Sequence, residues 1–123
     1  MELQKQFTEF IAQVDKSKFR NEARYGMEGT GIKEQVIKET ISLAEKHAVE
    51  KLILFGSRAR GNYHRASDID LAVYGGDVTA FSLDVEESTS TLLTYDVVDM
   101  NKKHQDYFVE SIEKEGKVLY EKI

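Results

Sequence analysis

The sequence predicts an α/β (α+β) domain: a small mixed β-sheet flanked by helices, with an extra N-terminal helix. Two patterns carry that expectation. Short apolar runs of strand length alternate with stretches whose apolar residues recur at helical spacing. The resulting order of helix, strand, helical turn, strand, helix, strand and helix is that of a sheet covered by helices. A third observation bounds the size. A chain of 123 residues, 41% hydrophobic and 32% charged, supplies one compact domain and little beyond it.

Residues 3–18 align Phe7, Phe10, Ile11 and Val14 on one face of an amphipathic helix. The stretch Tyr25-Gly26-Met27-Glu28-Gly29-Thr30-Gly31 interrupts that pattern with three glycines in six residues. The chain therefore divides into a helical extension, residues 1–25, and a domain, residues 26–123. A second helix is expected from Ile32 to His47, its apolar face formed by Ile32, Val36, Ile37, Ile41, Leu43 and Ala44. Lys51 to Phe55 is the first strand, ending at Gly56-Ser57, and Ile69 to Tyr74 is the second. Thr94 to Asp99, rich in β-branched residues, is the third. A helix is expected between them, from Thr79 to Leu92. The last helix runs from Gln105 to Glu115 with Phe108 and Ile112 inward and Gly116 as its stop. Val118-Leu119-Tyr120 reads as a short edge strand.

Composition excludes several classes of function. The net charge is −5, and no basic stripe offers the phosphate contacts that drive nucleic-acid binding. Without cysteine there are no disulfides, zinc knuckles or thiol chemistry. No apolar run approaches the roughly 20 residues that span a bilayer, and Met1-Glu2-Leu3-Gln4-Lys5 does not open like a signal peptide. A cytoplasmic location is the expectation. A domain this small buries only about two-thirds of the surface its unfolded chain exposes, which suits a dimer contact or a partner.

The chemistry is concentrated in Phe55-Gly56-Ser57-Arg58-Ala59-Arg60-Gly61 and Ser67-Asp68-Ile69-Asp70-Leu71. An apolar strand that ends in Gly-Ser and enters a helical turn suits a phosphate. Gly56 lacks the Cβ that would hold the anion away, Ser57 offers a hydroxyl, and the new helix start points N–H groups outward. Asp68 and Asp70 are two apart on a strand, so both carboxylates project from one face, while Ile69 and Leu71 mark the other as core. Adjacent carboxylates repel unless a cation lies between them, and Mg²⁺ takes one or two carboxylates together with phosphates and water. The third strand carries Asp96 and Asp99 at opposite parity. One of them is placed to complete a three-carboxylate, two-metal site, and parity alone leaves the choice open.

Gly56-Ser57, ten intervening residues and Asp68-Ile69-Asp70 resemble the signature of the DNA polymerase β-like nucleotidyltransferase superfamily, and more narrowly its minimal (MNT) branch. The resemblance spans about residues 32–121, including Gly116 to Tyr120. It implies that Gly56 and Ser57 bind the phosphates of an NTP and that Asp68 and Asp70 ligate Mg²⁺. The family's third carboxylate opens its strand ahead of two apolar residues, which matches Asp96-Val97-Val98 and leaves Asp99 structural. Asp68, Asp70 and Asp96 are thus the implied catalytic and metal-binding residues. Arg58 and Arg60 stand beside the Gly-Ser turn as candidates for triphosphate oxygens, with Arg65 a weaker one. Tyr63 and His64 are weighed as base-stacking residues, and His47 and His104 as surface groups. The glycines at 75 and 76 read as a turn.

The resemblance also implies a partner. MNT chains of the antitoxin type pair with small all-helical HEPN-type proteins, often ribonuclease toxins, and attach AMP to them. The expected activity is therefore transfer of AMP from ATP to a hydroxyl on such a partner. Two alternatives stay open: transfer to a small molecule held by a helical substrate-binding subunit, and neutralisation of the partner by contact alone.

Overall fold

A computed structural model describes residues 28–123; the helix expected over residues 3–18 and the extension 1–25 lie outside the described residues. The elements are α1 (Glu34–Lys46), β1 (Lys51–Phe55), α2 (Gly56–Arg60), β2 (Ile69–Tyr74), α3 (Val78–Ser88), β3 (Tyr95–Asp99), α4 (Asp106–Glu115) and β4 (Lys117–Glu121). The strands form one sheet in the order β3-β2-β1-β4. β1 runs antiparallel to both β2 and β4, while β2 and β3 are parallel and joined across the sheet by α3. The sheet is mixed because α2 and the loop after it bring β2 back antiparallel beside β1, whereas the parallel pair β2 and β3 needs the helical crossover that α3 supplies.

Strand alternation divides the core in two. Leu52, Leu54, Ile69, Leu71 and Val73 face α1 and α3, packing against Val36, Ile37, Ile41, Phe81 and Val85. Ile53 and Ala72 face the other way and meet Ile112 of α4, with Phe55, Phe108, Tyr74 and Val118 around them. The second face is covered by one helix only, and at the start of β2 and β3 the sheet stands open. That opening is where the aspartates project.

Two elements differ from the sequence expectation. α3 stops at Ser88 rather than Leu92. Thr89 Oγ1 bonds back to the Val85 carbonyl, and the buried Glu39 carboxylate on α1 accepts from both the N–H and the hydroxyl of Ser90. Those bonds pull the chain off the helix axis and leave Leu92 fully exposed. Gly116 ends α4 without a left-handed turn, its φ being −72°. Its value lies in space: a Cβ there would meet the Ile53 side chain and the Ile112 carbonyl.

Leu71 is fully buried directly behind the aspartate face. Leu71→Ala is expected to destabilise the domain by about 2–5 kcal/mol through lost burial and a residual cavity, read as a lower denaturant midpoint with an unchanged slope.

Candidate active site

The site begins where β1 ends. Gly56 has φ +74°, a conformation that costs a side-chain-bearing residue, and it turns the chain from strand into α2. No side chain caps the start of α2, so its first N–H groups remain available to an anion. Gly61 closes this short helix in a left-handed conformation, its N–H donating to the Ser57 carbonyl. A loop then returns the chain antiparallel along β1 as β2.

Register brings the carboxylates together. Phe55 of β1 is paired with Asp70 of β2, and Asp70 with Asp96 of β3. Neighbouring strands lie about 4.8 Å apart and side chains in one row share a face, so Asp70 and Asp96 are lateral neighbours. Asp68, two residues before Asp70, projects from the same face, and its Oδ1 accepts a short hydrogen bond from the Thr94 hydroxyl. Asp99 has the opposite parity and lines a shallow cavity of about 250 Å³ with Val78, Leu83 and Lys102 on the other side of the sheet. The geometry therefore groups Asp96, not Asp99, with Asp68 and Asp70.

Gly56 has a second role in this arrangement. A Cβ at that position would run into the Asp70 carboxylate. The space left by the missing side chain thus holds the Asp70 carboxylate as well as allowing an anion close to the backbone.

Burial is the largest influence on Asp70, pushing its carboxyl up to about 6; the negative charges of Asp96 and Asp68 push the same way, and Arg60 and Arg58 oppose them. A carboxyl held in that field has an unmet demand for positive charge. Among the described residues no three His, Cys, Asp or Glu side chains converge closely enough to enclose a metal ion alone. The three carboxylates expected to form a metal site, Asp68, Asp70 and Asp96, therefore do not close around an ion by themselves; Asp68 and Asp70 are oxygen donors of the kind Mg²⁺ takes together with water and substrate phosphates. The donor set is of the right kind for that ion.

The arginines separate. Arg58, expected at the triphosphate, is turned inward and is 1% exposed, its guanidinium bonded to main-chain carbonyls. Arg60 stays on the surface at the end of α2, 3.8 Å from Glu115, and its field reaches Asp70. Arg65 is exposed in the loop. Tyr63, weighed as a base-stacking residue, lays its ring over the Arg58 guanidinium at 4.8 Å and lies against Gly31. His64 is exposed, its N–H donating to the Ser67 hydroxyl. Neither His47 nor His104 is a free surface group: both are half-buried, His47 against Asp84 at 2.8 Å and His104 against the Asp99 carbonyl at 2.7 Å. Gly75 and Gly76 form the turn after β2, at the end remote from Asp68. The residue that sequence reasoning missed is Thr94, whose signal was its shared parity with Asp96.

The folded chain keeps the Asp70 proton up to about pH 6, whereas the unfolded chain releases it near 3.8. Folding stability therefore falls as pH rises through that window. Asp70→Asn should melt higher than wild type at pH 7, with the difference vanishing below about pH 3.8; added Mg²⁺ should raise the melting temperature of wild type alone. Gly56→Ala should fold, yet lose roughly a hundred-fold in turnover because Asp70 is displaced, measured as nucleotidyl transfer per folded molecule.

Residues 34–123 match the family described as polymerase beta, nucleotidyltransferase. Two relatives from Methanocaldococcus jannaschii, MJ0604 and MJ0126, both provisionally named protein adenylyltransferases, are 39% identical over 99 residues and 34% identical over 88. The alignments cover 71% of this chain and 97% of the first, and 68% of this chain and 90% of the second. The same fold occurs in a toxin–antitoxin crystal structure with AMP-PNP, at a TM-score of 0.58 and 24% identity over 69% of this chain and 73% of that one. It occurs again in a mutant of the toxin–antitoxin MntA-HpeT at a TM-score of 0.56, with the same identity and coverage. Because the family match runs from α1 to the last residue, taking in the Gly56-Ser57 turn and all three aspartates, the chain belongs to the polymerase beta nucleotidyltransferase family.

Proposed function

We propose that the domain is a Mg²⁺-dependent protein adenylyltransferase, transferring AMP from ATP to a hydroxyl of a small helical HEPN-type toxin as the antitoxin of a two-component pair in the cytoplasm. The observation that carries the reading is the row of carboxylates at Asp68, Asp70 and Asp96 beside the Gly56-Ser57 turn. The names of the two archaeal relatives support AMP as the transferred group and protein as the acceptor. The toxin–antitoxin complexes that share the fold supply the precedent for the partner.

The residues divide the work. Gly56, Ser57 and the start of α2 receive the triphosphate, with the Arg60 guanidinium at the end of α2 adding positive charge to the field at Asp70. Mg²⁺ held by Asp68 and Asp70 would neutralise the phosphates and lower the pKa of the acceptor hydroxyl. Asp96 takes the hydroxyl proton as the acceptor oxygen bonds to the α-phosphorus. The bond between the α-phosphorus and the bridging oxygen breaks, and pyrophosphate leaves with that electron pair. Asp96 lies on an edge strand, so a protein acceptor can reach it without the domain opening.

Incubation with ATP, Mg²⁺ and a HEPN-type toxin that co-purifies with the chain should add one or more AMP units to the toxin by intact mass. Asp68→Asn should slow that gain roughly a thousand-fold, on the scale of several kcal/mol of lost metal stabilisation. If the toxin stays unmodified while a small-molecule hydroxyl acquires AMP, the acceptor class is wrong. If Asp68→Asn neutralises the toxin as well as wild type, neutralisation is by contact and the catalytic reading fails.

A further inference from the structure

Arg58 heads the fully buried side chains of the described residues by volume, being 1% exposed. Burying a guanidinium is costly unless its donors are met. Here the partners are main-chain carbonyls: Nε donates to Ser67 at 3.0 Å, Nη1 to Thr30 at 2.9 Å and Nη2 to Arg65 at 3.2 Å. Tyr63 closes over the guanidinium carbon at 4.8 Å. An apolar side chain of similar volume would fill this space with no charge to desolvate, so filling it is not a sufficient reason for an arginine.

The location of the carbonyls supplies one. Arg65 and Ser67 belong to the loop that leads into β2, and Ser67 immediately precedes Asp68. The loop starts with the Asn62 N–H on the Ser57 carbonyl and is braced internally by the mutual bonds of His64 and Ser67; nearer Asp68, the planar fork ties it to α2. A fork with fixed donor directions sets the position and orientation of the carbonyls it binds, which a lysine ammonium does not. From the other side Thr94 holds Asp68 through its carboxylate and Ile69 through its N–H. Asp68 is thus located by Arg58 behind and Thr94 in front.

We propose that Arg58 is a positioning residue for Asp68: its guanidinium fixes the Ser67–Asp68 peptide so that the Asp68 carboxylate stands beside Asp70 as a metal ligand, and it makes no contact with the triphosphate. The inference rests on the reading of Asp68 as a metal ligand.

The test is Mn²⁺ titration of the full chain in the presence of AMP-PNP, followed by electron paramagnetic resonance, on wild type, Asp68→Asn, Arg58→Lys and Tyr63→Leu. Metal-free AMP-PNP affinity and thermal melts are recorded in parallel. Arg58→Lys should weaken Mn²⁺ binding roughly ten-fold, the scale seen when a residue behind a metal ligand is changed, while metal-free AMP-PNP affinity holds. Tyr63→Leu, which removes only the ring over the guanidinium, should weaken Mn²⁺ binding in the same direction by less. Wild-type Mn²⁺ affinity in a folded Arg58→Lys overturns the proposal, as does an equal loss of metal-free AMP-PNP affinity, which marks a phosphate ligand. If Arg58→Lys does not fold, unchanged Mn²⁺ affinity in Tyr63→Leu overturns it. Mn²⁺ affinity unaltered in Asp68→Asn instead removes the reading of Asp68 itself.

Discussion

Three carboxylates on one strip of sheet push each other apart, and what keeps that strip in place is the apolar packing behind it. Ile69, Leu71 and Val73 alternate with the polar positions of β2 and are buried against α1 and α3, so the strand cannot slip by one residue without exchanging its two faces. The same alternation in β3 directs Tyr95 and Val97 into the core cluster and Asp96 outward. Burial first, and repulsion from Asp96 and Asp68 second, raise the Asp70 carboxyl; apolar packing elsewhere offsets that cost, and the site is held ready for positive charge instead of collapsing around it.

Around that strip, two residues are defined by what lies next to them more than by their own chemistry. Gly56 leaves a volume that the Asp70 carboxylate occupies, so a residue read from sequence as serving phosphate also makes room for one of the clustered aspartates. Arg58 faces away from the solvent and ties the loop before β2 to the turn at Thr30.

Much of this was legible in the sequence. Period-two alternation around Asp68 and Asp70 located both the strand and its active face, and the Gly-Ser turn followed from an apolar run meeting a glycine. The third carboxylate was a choice between Asp96 and Asp99 that parity could pose but not answer. The answer depends on which residue of β3 lies opposite Asp70, and register is a long-range property. The inward turn of Arg58 was hidden for a similar reason: its partners are main-chain carbonyls, which have no side-chain signature. The early end of α3 was hidden too, since the carboxylate that captures Ser90 comes from Glu39, 51 residues earlier.

Among the described residues the strand order places β3 at one border of the sheet and β4 at the other. An uncovered border offers unpaired main-chain groups to any second chain, and natural sheets blunt such borders with charge or irregularity. β3 carries Asp96 on one face and Asp99 on the other, while β4 ends in Lys117 and Glu121 and meets β1 with a register shift between Leu52 and Ile53. A strand approaching β3 would bring its own side chains against carboxylates above and below. The aspartate proposed to take the acceptor proton therefore also discourages self-association, and chains lacking that charge would be left with a more adhesive border.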